Sequence, residues 1–319
     1  MFQDFRPTAS LETLQKRAVF LQKTRNFFQN DGFLEVETPL LSADTVIDRH
    51  LDPMTLNLHG KTYYLQTSPE FGMKRLLATF PTTPIFQICK VFRRDECGTL
   101  HNPEFTMLEY YAPGDDYAQG MARLDALQNH LLGKGPAERL TYTAAFERIW
   151  NIHPLSASIR ELAEIAQKEK LVVPEGFDTS ENANRDDWLD FLLGEKIQPT
   201  LGFDHPVLLH DFPASQAALA VSQNGIAERF ELYVNGIELA NGYHELCDPR
   251  ELRRRNNIAN ALRRLDGKEI LPDDSRLLAA MESGLPPCAG TAVGMDRMFL
   301  LAENAPSLNE VLAFPFFTA

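Results

Sequence analysis

Hydrophobic positions along the chain change period several times, and each change predicts an element. Leu11, Leu14, Ala18, Leu21 and Phe28 recur at helical spacing behind Ser10, a residue type that caps helix N-termini, and Asp31-Gly32 ends the run. Phe33 to Pro39 then reads as a short strand stopped by proline, which cannot donate to a ladder. Tyr63 leads as a strand into the turn at Ser68-Pro69-Glu70, and Phe71 to Phe80 reads as a helix carrying Lys74 and Arg75. Between Phe86 and Tyr111 two apolar runs flank a polar loop, Arg94 to Pro103, which predicts a hairpin with a long loop. Alternation over Glu104 to Tyr111 sets Phe105, Met107, Glu109 and Tyr111 on one face, with Thr106, Leu108 and Tyr110 on the other. A carboxylate thus sits among aromatics. Unpaired burial would be costly, and Arg93 is the expected partner, for Glu109 or for a bound anion. A structural salt bridge would account for this hairpin alone equally well.

From about Asp115 to Gly202 the pattern turns helical. Leu124, Leu127 and Leu131 mark one helix, and Ser158 to Lys170 and Arg185 to Lys196 predict two more, separated by proline, glycine and polar residues. This is read as a helical insertion without chemistry, in which Trp188, Phe191 and Leu192 are core. Further on, Asn235-Gly236 between apolar strands is a strong hairpin signal. A two-residue turn there pairs Val234 with Ile237, Tyr233 with Glu238 and Glu231 with Ala240. Glu231 and Glu238 then become diagonal neighbours on one face, with backbones roughly 7–8 Å apart. They repel unless a cation lies between them, and a hard divalent ion shared with substrate phosphates is the usual magnesium arrangement. Strict alternation sends Glu245 to the opposite face, and a bulge at Gly242 would reset it. Cys288 to Arg297 is a glycine-containing strand running into the apolar helix Met298 to Leu301.

Composition narrows the function classes. The 319 residues, 44% hydrophobic and 24% charged, suit a soluble globular protein of one large domain or two. No apolar run has the length of a membrane span and the N-terminus lacks a signal-peptide pattern, so a cytoplasmic protein is expected. Cys89, Cys97, Cys247 and Cys288 form no CxxC pair, which leaves free thiols. A formal charge of −13 argues against broad attraction to nucleic acid. A local exception is the predicted helix after Pro249, with Arg250, Arg253, Arg254, Arg255, Arg263 and Arg264, either a basic patch or a solvated face.

Phe92-Arg93-Arg94-Asp95 followed by His101-Asn102-Pro103-Glu104-Phe105 resembles motif 2 of the class II aminoacyl-tRNA synthetases. In that family the arginine grips the α-phosphate of ATP, a loop acid and the backbone hold the adenine, the histidine reaches the outer phosphates and the phenylalanine stacks on the base. Those roles fall by resemblance to Arg93, Asp95, His101 and Phe105. Asp95 stands where glutamate is usual, with Glu96 next to it as an alternative. The first helix, its turn and the Pro39 segment are similar to motif 1, which builds the dimer interface in the family. The strand from Cys288 resembles motif 3, where glycines let the backbone approach ATP and Arg297 covers the adenine. The resemblance covers essentially the whole chain and implies an α+β class II synthetase catalytic domain, a mainly antiparallel sheet flanked by helices, spanning 1–319 with an insertion at about 115–202.

The same resemblance assigns ATP to Arg93, Arg94, Asp95, His101, Asn102, Phe105, Glu231, Leu232, Gly294 and Arg297, of which Arg93, His101 and Arg297 are catalytic. It assigns magnesium to Glu231 and Glu238, and the amino-acid substrate to Ser68, Pro69, Glu70, Tyr111, Glu238, Glu245 and Ala292. For Glu70, a helix N-terminal acid facing the dipole is the rival reading. HNPEFTMLEYY, TSPE and NGYHEL point to the lysyl branch, and the acids Glu70, Glu109, Glu231, Glu238 and Glu245 suit a cationic substrate. No segment resembles the anticodon-binding barrel of the lysyl synthetases. Ala292 stands where they read glycine and Ser68 where alanine is common, and an added methyl in a pocket can discriminate by ~1–3 kcal/mol. A lysyl-type catalytic domain with these features is similar to the elongation factor P (R)-β-lysine ligases. That implies a homodimer using ATP and magnesium to adenylate (R)-β-lysine and pass it to a lysine of elongation factor P, without stable tRNA binding or a membrane. Acylation of tRNA, or a non-catalytic regulatory role, are the alternatives.

Overall fold

The computed structural model describes residues 5–180 and 183–319. Backbone contacts divide the chain into two compact units, Met1–Gly133 with His244–Ala319, and Lys134–Tyr243. Strand pairing within each is mainly antiparallel, and the fold is α+β. Among the described residues no helix is long and apolar enough to cross a membrane.

The first unit opens with helix α1 (Leu11–Asn30), capped where the Ser10 hydroxyl accepts from the Thr13 amide. Its buried stripe is Phe20, Thr24 and Phe28, while Leu11 and Ala18 of the expected apolar face are exposed. Short strands β1 (Leu34–Glu35) and β2 (Leu41–Ser42), then β3 (Thr55–Leu58) and β4 (Lys61–Leu65), lead to helix α2 (Glu70–Thr79). The expected strand from Phe33 to Pro39 is thus paired at two residues only. Strands β5 (Ile85–Phe92) and β6 (Glu104–Pro113) form the expected hairpin, with β1 parallel to β5. Helix α3 (Tyr117–Leu132) closes this segment with a full capping box at Asp116. Phe28 stacks on Phe86 at 5.0 Å and meets Tyr110 at 4.8 Å, so α1 covers the face of β6 opposite Glu109.

In the second unit the region expected to be purely helical contains a strand, β7 (Glu138–Thr141), and helix α4 (Tyr142–Trp150), neither of which has a periodic signal long enough to read. Helices α5 (Ile159–Lys168) and α6 (Arg185–Leu192) follow, and the last expected helix ends at Leu192 in a π turn, Leu193–Ile197. Strands β8 (Val207–Pro213), β9 (Ser222–Gln223), β10 (Ile226–Val234) and β11 (Ile237–His244) complete the unit, β8 lying parallel to β7 and antiparallel to β10. Trp188 and Leu192 are core residues as expected, packed with Tyr142, Phe146 and Leu209, and Phe191 lies against them half-buried.

Gly202 holds the start of this sheet. Its φ is +81°, and a Cβ there would lie 2.5 Å from the Tyr233 carbonyl oxygen and 2.7 Å from the Val234 Cα. Both obstacles are backbone and cannot rotate aside. Gly202→Ala is expected to cost ~1–3 kcal/mol from overpacking, read as a lower urea midpoint at unchanged slope. An unmoved midpoint would show that the loop yields freely.

The chain returns to the first unit with α7 (Pro249–Leu265), α8 (Arg276–Gly284), β12 (Cys288–Gly294) and α9 (Met295–Ala302). Strand β12 pairs antiparallel with β6, setting Ala292 directly opposite Glu109 and Gly290 opposite Tyr111. The arginine-rich helix α7 is partly self-neutralised, since Glu251 pairs with Arg254 and Arg255, and Arg263 is buried against Asp52.

Candidate active site

Within the first unit three carboxylates converge in a buried cluster. Glu109 is 2% exposed on β6, Glu245 is 1% exposed just past β11, and Glu70 opens α2 behind Pro69, the residue at its N-cap. Glu109 accepts from the Ser68 hydroxyl at 2.6 Å and from the Tyr111 hydroxyl at 2.5 Å. The expected partner Arg93 is not there. It follows β5 rather than lying on it, and its chain turns away into the loop. The other two carboxylates share the ammonium of Lys74, 2.6 Å from Glu70 and 2.5 Å from Glu245. Glu70 is therefore held by a side chain four residues on as well as by its place in the first helical turn.

Electrostatics here follow from burial. Loss of water pushes the Glu109 carboxyl up, with Glu70 adding to the effect and the Ser68 and Tyr111 hydrogen bonds opposing it. Burial likewise raises Glu245, against the pull of Lys74. Lys74 loses hydration too, yet Glu245 and Glu70 outweigh that and keep it charged, above the ordinary lysine value. Burial and then Glu109 lift the Tyr111 phenol well above its usual range, so it stays a donor. The cluster can receive cationic groups of a ligand.

A second group in the same unit surrounds the loop between β5 and β6. The Arg93 guanidinium lies over the Phe105 ring at 5.1 Å, and its Nη1 reaches Glu96 at 3.5 Å. Its Nε is buried without a hydrogen-bond partner. An unsatisfied donor of that kind, beside an aromatic face, fits a phosphate and a base better than a closed structural pair. His101 touches Arg297 through Nε2, and Arg297 Nε donates to the Leu100 carbonyl at 3.0 Å. Desolvation, then the Arg297 charge, lower the His101 pKa, so the ring is neutral near pH 7. Gly294 caps α9, whose first turn carries Arg297. Asn102 braces the loop, donating to the Glu104 carbonyl at 2.6 Å and accepting from the Phe316 amide at 2.9 Å. Asp95 is exposed at φ +66° beside Arg94, which is exposed as well. Of the two loop acids, Glu96 is the one in contact with Arg93.

In the second unit the β10–β11 hairpin departs from the expected register. Val234 faces Ile237 and Tyr233 faces Glu238, but a bulge between Leu232 and Tyr233 then pairs Leu232 with Ala240 and Glu231 with Asn241. Ala240 is not the partner of Glu231. The extra residue leaves Glu231, Tyr233 and Glu238 on one face and adds Asn241 to it. It also supplies the change of parity that Glu245 requires, at Leu239 rather than at Gly242. Glu231 is buried, paired with Arg229 at 2.6 Å and hydrogen-bonded to the Tyr233 hydroxyl. A protein guanidinium thus supplies the cation that Glu231 demands. Among the described residues no group of three or more His, Cys, Asp or Glu forms a metal cage. An arrangement in which magnesium takes one or two carboxylates and completes its shell with phosphates and water needs no such cage. Leu232 points to the opposite face and is buried.

Comparison with known proteins identifies the family. The family model described as tRNA synthetases class II (D, K and N) matches residues 1–318. An elongation factor P–(R)-beta-lysine ligase from Pseudoalteromonas translucida (strain TAC 125) is 45% identical over 319 residues, covering 97% of this chain and 96% of the relative. Relatives of the same name from Klebsiella pneumoniae (strain 342) and Haemophilus ducreyi are 45% and 43% identical, again over nearly the whole of both chains. The chain belongs to the elongation factor P–(R)-beta-lysine ligase branch of the class II synthetase family.

Ser68 and Ala292, the two positions expected to shape substrate preference, both lie at Glu109, one by a hydrogen bond and the other across the β6–β12 register. Lys74 was not singled out from the sequence, although its i, i+4 spacing from Glu70 was a readable signal. Gly290 was not singled out either. Its importance depends on Glu245 and Tyr111, which are remote in sequence and crowd against it.

Proposed function

We propose that the protein is an AMP-forming ligase that adenylates (R)-β-lysine with ATP and transfers it to a lysine side chain of elongation factor P. The observation that carries the reading is the buried cluster of Glu70, Glu109 and Glu245, built to receive a substrate with more than one ammonium group. It is supported by the names of relatives that match this chain from end to end. The Ser68 hydroxyl and the Ala292 methyl at Glu109 support a preference for the β-amino acid over α-lysine, whose amino group lies one carbon nearer the carboxylate.

In the first step the substrate carboxylate attacks the α-phosphate of ATP in line, forming an acyl-adenylate and releasing pyrophosphate. Arg93 holds the α-phosphate as charge develops on it, and neutral His101 with Arg297 orients the outer phosphates and the base. Phe105 supplies the stacking face, and Arg94, Asp95 or Glu96, Asn102 and Gly294 complete the nucleotide contacts. Magnesium held by Glu231 and Glu238 would offset phosphate charge. In the second step the neutral ε-amine of the acceptor lysine attacks the acyl carbon, AMP leaves, and the amine proton is lost to solvent.

The chain acts as one catalytic domain with residues 115–202 inserted, in a cytoplasmic homodimer. Exposed Leu11 and Val19 on α1 and Leu34 on β1 support an interface on that segment. The deciding experiment supplies ATP, magnesium and (R)-β-lysine with either elongation factor P or total tRNA and follows the added mass. Label is expected on the protein alone. Label on tRNA with none on elongation factor P would replace this reading by a tRNA-acylating one.

A further inference from the structure

Lys74 is the one charged group of the buried cluster that the adenylation chemistry leaves without a task. The following rests on the reading of that cluster as the substrate-amine pocket. We propose that Lys74 is a built-in counter-ion that fixes how much positive charge the substrate must bring: it cancels one of three buried carboxylates and leaves two for a substrate with two ammonium groups.

The geometry carries this. Lys74 is 1% exposed, and its Nζ bridges Glu70 on α2 to Glu245 beyond β11. Among the described residues, Glu109 receives only the neutral hydroxyls of Ser68 and Tyr111. Among the described residues, Lys74 is the sole cation in ion-pair contact with these three acids. Three carboxylates against one ammonium leave a deficit of two positive charges in a water-poor site, where unpaired charge is most costly. A monoamine would leave one carboxylate to be neutralised by a proton. A diamine satisfies both.

The remaining groups facing the cluster do not compete for this role. Tyr111 on β6 is held protonated, and burial raises the thiols of Cys89 on β5, to about 12, and of Cys247 and Cys288. Burial pushes the Glu109 carboxyl up to about 7 and the Glu245 carboxyl to about 8. Protons held there must leave before the diammonium substrate binds, so kcat/KM for the amino acid rises with pH across this window. Removing the Lys74 charge disfavours the ionised carboxylates further and moves the rise to higher pH.

The test is pyrophosphate exchange with (R)-β-lysine at saturating ATP, from pH 6 to 9.5. Lys74→Met and Lys74→Gln are expected to raise the midpoint of the kcat/KM profile by about one pH unit or more, the scale of a lost neighbouring charge. At pH 7 the loss falls mainly on KM, with kcat less affected. Lys74→Arg retains the charge and keeps the midpoint near that of the wild type. Gln keeps a side-chain amide donor without the charge and carries the comparison where Met disrupts folding. Neutral variants that lose kcat with an unmoved midpoint would show a purely structural lysine and overturn the proposal. Wild-type enzyme that fails to activate (R)-β-lysine at any pH would instead overturn the reading of the pocket itself, and the proposal with it.

Discussion

Arg93→Ala is expected to slow ATP–pyrophosphate exchange by on the order of 10²-fold or more, the usual scale for a lost electrostatic stabiliser. The arginine is poised rather than consumed by the fold. Its Nε is buried without a partner, and among the described residues its only carboxylate contact, Glu96, is a long one at 3.5 Å. A guanidinium lying over Phe105 presents its donors in a plane, so it can make two parallel bonds to a phosphate. That contact strengthens as charge accumulates on the transferring phosphorus, and its loss should appear in kcat more than in KM for ATP. Arg93→Lys restores the charge without the fork and should fall between the two. An exchange rate in the alanine variant equal to that of the wild type would remove Arg93 from the chemistry.

Gly290→Ala should cost on the order of 10²-fold in kcat/KM for the amino acid, the penalty for displacing a positioned group by about 1 Å. A Cβ at this position would lie 2.1 Å from Glu245 Oε1 and 2.4 Å from Tyr111 Cε1. Neither neighbour moves alone, because Glu245 is tied to Lys74 and Tyr111 to Glu109. One added methyl therefore propagates through four residues of the cluster. The nearest atoms to the added methyl belong to Glu245 and Tyr111, so ATP affinity measured by calorimetry should remain close to wild type. Equal kcat/KM in the variant would mean that Glu245 has room to yield and is not held where substrate binds.

The sequence by itself determined the local elements. Ser10 announced α1, Asn235-Gly236 announced the β10–β11 turn, and alternation placed Glu109 and Tyr111 on one face of β6, because caps, turns and strand parity are decided by neighbours in the chain. The ordered motifs around Arg93, His101, Phe105 and Arg297 were legible for the same reason. What only the tertiary structure decided was partnership. Glu109 takes neutral donors instead of Arg93, since β6 brings it to Ser68 while Arg93 turns into the loop. A bulge at Leu239, not Gly242, sets the parity of β11, because a single extra residue leaves no compositional mark. Strand β7 and helix α4 are too short for periodicity to reveal, and the exposure of Leu11 and Ala18 depends on which side of α1 the sheet covers. Lys74 finds Glu245, and Gly290 acquires its neighbours, only when segments distant in the chain are packed together, and a pattern of local spacings does not contain that information.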